Sequence, residues 1–143
     1  MGSTKFTSET SYHGNEFAGD IKFDLNFYNW NRYYIVYCDG TGHQGYLEKP
    51  LVINNTNIYF RGYNNTIANY NFVFSHLPPE LMDTLVVNGC SAGGLATFTW
   101  LETIGTYVLN ANPKIKVMGL IDAGFFLDYP SNKTGKKDYG TMI

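Results

Sequence analysis

Residues 84–96 read Thr-Leu-Val-Val-Asn-Gly-Cys-Ser-Ala-Gly-Gly-Leu-Ala, and no other stretch of the chain restricts its fold as much. A run of β-branched and apolar residues feeds a Gly-x-Ser-x-Gly pentapeptide, Gly89 to Gly93, and helix-compatible sequence follows. A chain that leaves a strand and enters a helix within a few residues forces the corner residue, here Ser91, into a strained backbone conformation. Small residues two positions to either side, Gly89 and Gly93, let strand and helix approach without Cβ clashes. The Ser91 hydroxyl then projects above a sheet. The Ala92 N–H, at the start of the following helix, is placed to donate to an oxyanion. This pattern points to serine hydrolase chemistry. A phosphate-binding turn is the competing reading of a Gly-rich helix start. The spacing Gly-x-x-x-Gly-Gly matches neither the dinucleotide fingerprint nor a Walker loop, and no Lys-Ser/Thr pair follows.

Around this corner the sequence alternates. Residues 32–38, Arg-Tyr-Tyr-Ile-Val-Tyr-Cys, form a nearly continuous β-branched and aromatic run that fits a buried parallel strand. It stops at the turn cluster Asp39-Gly-Thr-Gly42, and the carboxyl end of a parallel strand is where open α/β sheets bind ligands. Residues 43–56 read as irregular, and Asn57 to Arg61 as a short extended piece. From Gly62 the positions Ile67, Tyr70, Val73, Phe74 and Leu77 recur at helical spacing, and Pro78-Pro79 ends that segment. Leu85-Val-Val87 is the next strand. Ser91 to about Asn110 reads as helix, with Leu95, Phe98, Leu101 and Leu109 among its apolar positions. Val117 to Ile121 is a third strand, ending at Asp122-Ala-Gly124. Strand, helix, strand, helix, strand is the signature of a parallel α/β sheet. The expectation is one partial α/β-hydrolase-like unit over residues 1–143, with flanking helices and with sheet missing at both ends. Residues 1–20 and the tail from Tyr129 read as loop.

Length and charge narrow the function classes. A complete hydrolase of this type exceeds 143 residues, so the length already reads as part of a larger sheet. A formal charge of −2 gives no electrostatic case for nucleic acid or an anionic membrane surface. No apolar run reaches the length of a membrane span. Lys133, Lys136 and Lys137 read as a solvated terminal loop. Cys38 and Cys90 are too few for a disulfide framework and read as two buried thiols. Asn54, Asn64 and Asn132 each open an Asn-x-Ser/Thr sequon. No His/Cys/Asp cluster has metal-ligand spacing, and no cofactor is implied.

Five separated blocks resemble the pectin acetylesterase family, which includes the Notum carboxylesterases. They are Gly2-Ser-Thr-Lys-Phe6; Phe27-Tyr-Asn-Trp-Asn-Arg32 with Tyr37-Cys-Asp-Gly40; Tyr59-Phe-Arg-Gly62; Gly89-Cys-Ser-Ala-Gly-Gly-Leu-Ala96; and Gly119-Leu-Ile-Asp-Ala-Gly-Phe-Phe-Leu-Asp128. Their order and rough spacing agree from end to end. The resemblance implies an α/β-hydrolase-type fold that removes an ester-linked acyl group, acetyl from pectin in plant members. It implies Ser91 as nucleophile, Ala92 N–H as one oxyanion donor, and Phe126 as an aromatic lining the acyl pocket. The implied partner is an acylated polysaccharide or other acyl ester, and the implied location is extracellular. Oligomeric state is not implied.

The resemblance places the family's Gly-rich oxyanion loop before Met1 and its catalytic Asp and His after Ile143. His13, His43 and His76 all precede Ser91, and the family gives none of them the role of base. The 143 residues are therefore expected to be inactive by themselves. Asp39, Asp122 and Asp128 read as structural, since carboxylates in such turns bond local backbone. The alternative reading is a non-catalytic remnant, a carbohydrate- or acyl-binding module. A chain with half a sheet also carries an open edge and an uncovered apolar face.

Overall fold

The computed structural model describes residues 26–130 and 132–137. The expected loop over residues 1–20, the first family-like block and His13 lie outside the described residues. Two parallel strands with a helix between them form the centre: β3 (Thr84–Cys90), α2 (Ala92–Ala111) and β4 (Lys116–Asp122). Ahead of them come a hairpin, β1 (Leu51–Ile53) and β2 (Thr56–Ile58), and then α1 (Gly62–His76). β3 and β4 pair from Thr84↔Lys116 to Cys90↔Asp122, so the two strands end level with each other. Parallel pairing in this register brings the carboxyl ends together, and the turns that follow both strands leave from that edge. The arrangement is a partial α/β fold.

The core lies where α2 meets the sheet on one side and α1 on the other. Trp100, Ile104 and Val108 recur at four-residue spacing on α2 and are buried with Met82 and Ile115. Leu85, Val87 and Val117 pack on this stripe from the strands, and Ile67, Tyr70 and Phe74 from α1. Aromatic rings span the space between the helices: Tyr70 meets Trp100 edge-on at 6.1 Å, and Phe74 stacks on Tyr107 at 5.0 Å. Burial pushes the Tyr70 phenol up to about 12. Phe98 and Leu109, read from sequence as apolar helix positions, face outward. α2 carries apolar residues on most of its circumference, so periodicity locates the helix without choosing its buried face.

Three sequence expectations change. Residues 32–38 carry no strand pairing. The segment is held by side chains on α1 instead: the Tyr33 hydroxyl donates to Asn69 Oδ1 at 3.0 Å, the Tyr33 ring lies 5.8 Å from Phe72, and Asn65 Nδ2 reaches Cys38 Sγ at 3.9 Å. Aromatic and β-branched residues report a need for packing more than a backbone preference, and α1 meets that need without a ladder. Within 43–56, read as irregular, Leu51–Ile53 is a strand. Its partner follows after Asn54-Asn55, both with positive φ, the two-residue reversal that tight hairpins require. Cys38 is half-buried and Cys90 exposed, with no disulfide between them. Val86, Asn88 and Cys90 alternate away from α2, onto a sheet face where Met118 and Leu120 are also half exposed.

Candidate active site

Ser91 sits at the single residue between β3 and α2, with φ 55° and ψ −117°. That is left-handed backbone outside the region non-glycine residues favour, so the strain expected of the corner is present. Its N–H donates to the Asp122 carbonyl at 2.9 Å, and its own carbonyl accepts from Leu95 N at 3.0 Å. The backbone of Ser91 is thus tied to the end of β4 on one side and to the first helical turn on the other. Its side chain is exposed and makes no capping bond to α2. The hydroxyl remains available to a reactant.

Ala92 is the first residue of α2, and amides of a first helical turn lack intrahelical acceptors. The Ala92 N–H therefore belongs to the positive end of a twenty-residue helix. Thr97 is buried and donates its hydroxyl to the Gly93 carbonyl at 3.0 Å, tightening that turn.

The glycines divide their work differently from the sequence expectation. A Cβ on Gly89 would lie 2.3 Å from both the carbonyl carbon and the oxygen of Gly93, so strand and helix touch there. A Cβ on Gly93 would meet nothing within 4 Å; Gly93 contributes close backbone, while its own missing side chain faces open space. The second close approach belongs to Gly94, whose Cβ would lie 2.7 Å from both the Asp122 carbonyl oxygen and Gly124 Cα. Gly124 and Gly94 therefore pack backbone against backbone, beside Ala123 at φ 45°. Sequence reasoning missed this second contact, although the doubled glycine at 93–94 and the Asp-Ala-Gly turn were its signals.

The loop after residue 38 packs beside the first turns of α2. Asp39 is buried, accepting from Thr41 N at 3.3 Å and from the Thr41 hydroxyl, against the start of α1 at Gly62. A structural role for Asp39 follows from these bonds. A Cβ on Gly42 would stand 3.6 Å from Leu95 Cδ2. His43, at φ 63°, uses its carbonyl to accept from the Thr66 hydroxyl at 3.0 Å and from Trp100 Nε1 at 3.1 Å. Its ring lies 4.8 Å from the Tyr37 ring, and among the described residues no hydrogen bond joins it to Ser91. Of the other candidates, His76 is exposed at the end of α1, bonded to Ser75 and the Phe72 carbonyl. Phe126 is half-buried four residues beyond β4. The sequon residue Asn54 stands at the hairpin turn, whereas the Asn64 sequon lies in α1 with its Thr66 hydroxyl buried against His43. Among the described residues no group of three His, Cys, Asp or Glu side chains is placed to hold a metal ion. None of the described helices is long and apolar enough to cross a membrane.

Burial holds the His43 imidazole below its usual range, with the Asp39 carboxylate opposing that shift in second place. The folded chain then binds this proton less readily than the unfolded chain. Stability tied to neutral His43 is complete above the unfolded imidazole pKa of about 6.5 and is lost as pH falls through the lower folded value. His43→Asn, which tolerates the left-handed backbone, is expected to lose less melting temperature between pH 7 and pH 5 than the parent chain. Thermal unfolding at the two pH values checks this, and an unchanged acid-side slope would remove His43 as the titrating group.

Comparison with known proteins gives a consistent result. The pectinacetylesterase family model matches residues 1–141. Pectin acetylesterase 5 of Arabidopsis thaliana is 29% identical over 152 aligned residues, covering 99% of this chain and 32% of the relative. Pectin acetylesterase 7 of the same plant is 30% identical over 88% of this chain and 31% of its own length. Pectin acetylesterase 4 is also 30% identical, over 90% of this chain and 30% of its own length. The chain spans about a third of the length of these relatives.

Proposed function

The chain belongs to the pectinacetylesterase family, a family of carboxylic ester hydrolases, and from that premise we propose that it carries the nucleophile segment of a serine acetylesterase acting on an acetylated polysaccharide outside the cell. One observation carries the reading: a serine at φ 55°, ψ −117° on the single residue between a parallel strand and a helix, its hydroxyl exposed. In this role Ser91 Oγ attacks the ester carbonyl carbon as its proton passes to a base. The carbonyl oxygen takes up the negative charge, and the Ala92 N–H at the positive end of α2 donates to it. Collapse of the intermediate expels the sugar hydroxyl, which leaves with a proton, and water then releases acetate from the acyl-serine. Phe126 is proposed to line the acyl pocket, where a half-buried ring beyond β4 offers apolar surface to a methyl group. Gly89 and Gly94 hold the corner closed, and Gly93 supplies the backbone that Gly89 approaches.

Residues 92–143 contain no histidine, so the base in the order Ser…Asp…His is proposed to come from polypeptide outside these 143 residues. A serine without its base loses several orders of magnitude in rate. A longer polypeptide containing this chain is therefore expected to release acetate from acetylated pectin, and the 143 residues alone to release it far more slowly. Acetate assays on both would test this. Silence from the longer polypeptide would sink the esterase reading in favour of a non-catalytic binding module.

A further inference from the structure

The tripeptide Asn-Asn-Thr occurs twice, at residues 54–56 and 64–66. Each copy is an acceptor sequence for N-linked glycosylation, and identical residues leave only the fold to tell them apart. The first copy is the tip of the hairpin. Asn54 and Asn55, at φ 49° and 60°, make the reversal, and Thr56 opens β2 opposite Ile53. All three residues are exposed. Among the described residues neither the Asn54 amide nor the Thr56 hydroxyl has a hydrogen-bond partner. A two-residue reversal is closed by its own neighbours in sequence, so its shape is set locally. The second copy lies near the start of α1. Helical residues two apart stand about 200° from each other around the axis and do not face one another. Asn64 is accordingly exposed, while Thr66 is 2% exposed and donates its hydroxyl to the His43 carbonyl at 3.0 Å. Asn65 between them reaches Cys38, with Nδ2 3.9 Å from Sγ.

We propose that Asn54 is an N-glycan acceptor and that the identical sequence at Asn64 is not. Transfer needs the asparagine amide and the hydroxyl two residues on presented together to one enzyme surface. The turn leaves both accessible. The helix sends them to different sides and holds the hydroxyl in the interior. In the transfer, Asn54 Nδ2 bonds to C1 of the reducing-end sugar of a lipid-linked oligosaccharyl diphosphate. The bond from C1 to the diphosphate oxygen breaks, the lipid diphosphate leaves with the electron pair, and an amide proton passes to a base of the transferase. Ile53, half exposed and paired across from Thr56, gives the first sugar an apolar neighbour. Glycan on the natural polypeptide rests on the extracellular placement proposed above; the choice between the two sites does not, and it makes no use of Ser91.

The test expresses the 143-residue chain behind a cleavable secretion leader in a eukaryotic cell, so that entry to the lumen is supplied and the esterase reading is not at stake. Asn132→Gln removes the third sequon, and mass spectrometry after enzymatic glycan release in oxygen-18 water reads the filling of each remaining site. Asn54 is expected to be filled in most molecules. Asn64 should be filled about tenfold less or lower, because presenting it requires local opening of α1. In Asn54→Gln, Asn64 should stay as empty as before, which separates the effect of the helix from competition between neighbouring acceptors. Ala68→Pro, inside α1, removes the helix bond to the Asn64 carbonyl and sets a ring against it. That variant should raise filling at Asn64 several-fold and leave Asn54 unchanged. An empty Asn54, or equal filling of the two sites, would overturn the proposal. So would a rise at Asn64 in Asn54→Gln, or no rise there in Ala68→Pro.

Discussion

In a longer polypeptide carrying these residues, Ser91→Ala is expected to lower acetate release from acetylated pectin by about 10⁴-fold or more, equivalent to ~5 kcal/mol on the barrier. The size of the effect follows from covalent catalysis: without Oγ no acyl-enzyme forms, and only binding and oxyanion stabilisation remain. Neighbouring groups cannot substitute. The Thr97 hydroxyl is buried and donates to the Gly93 carbonyl. The Cys90 thiol is exposed but belongs to the last residue of β3, one residue short of the strained corner. Ser91 makes no side-chain capping bond, so Ser91→Ala should unfold at nearly the parent temperature. Residual turnover within tenfold of the parent would exclude Ser91 as nucleophile.

Gly89→Ala should be the most damaging small change to the fold. Its methyl group would lie 2.3 Å from two backbone atoms of Gly93 and 2.8 Å from a third. Backbone cannot rotate out of the way as a flexible side chain does. Relief requires separating β3 from the start of α2, at a cost of about 3 kcal/mol or more. The neighbouring substitution should behave in the opposite sense. Gly93→Ala places its methyl in open space on a helix, where alanine is favoured over glycine by up to ~1 kcal/mol. Urea unfolding of the two variants beside the parent chain measures both. Equal destabilisation would mean that the corner depends on glycine flexibility rather than on the Gly89 contact.

The reading of α1, α2 and β4 from sequence agreed with the structure to within a residue or two, and β3 was placed correctly but runs three residues past Val87 to Cys90. Each carries a strong local signal. Helical spacing of Ile67, Tyr70 and Phe74 ends at Pro78, and a β-branched run ends at Gly89. The corner at Ser91 was legible for the same reason. A reversal from strand to helix within one residue leaves few backbone solutions, and small residues mark it in the chain. β1 escaped notice because a strand of three residues is too short to show an alternation. Residues 32–38 misled in the other direction, since apolar β-branched sequence describes a packing requirement that a helix surface also meets.

What the sequence by itself determined is therefore local: which segments are helix or strand, and where the strained serine falls between them. Only the tertiary structure decided which side of each element is covered. It buried Trp100, Ile104 and Val108 while leaving Phe98 outside, exposed Cys90, and gave the second close contact to Gly94 and Gly124. The physical reason is range. Backbone preferences and hydrophobic period act over a few residues along the chain. Burial and steric contact depend on elements far apart in sequence, such as β4 closing on the turn at Ser91 through the bond from Ser91 N to the Asp122 carbonyl.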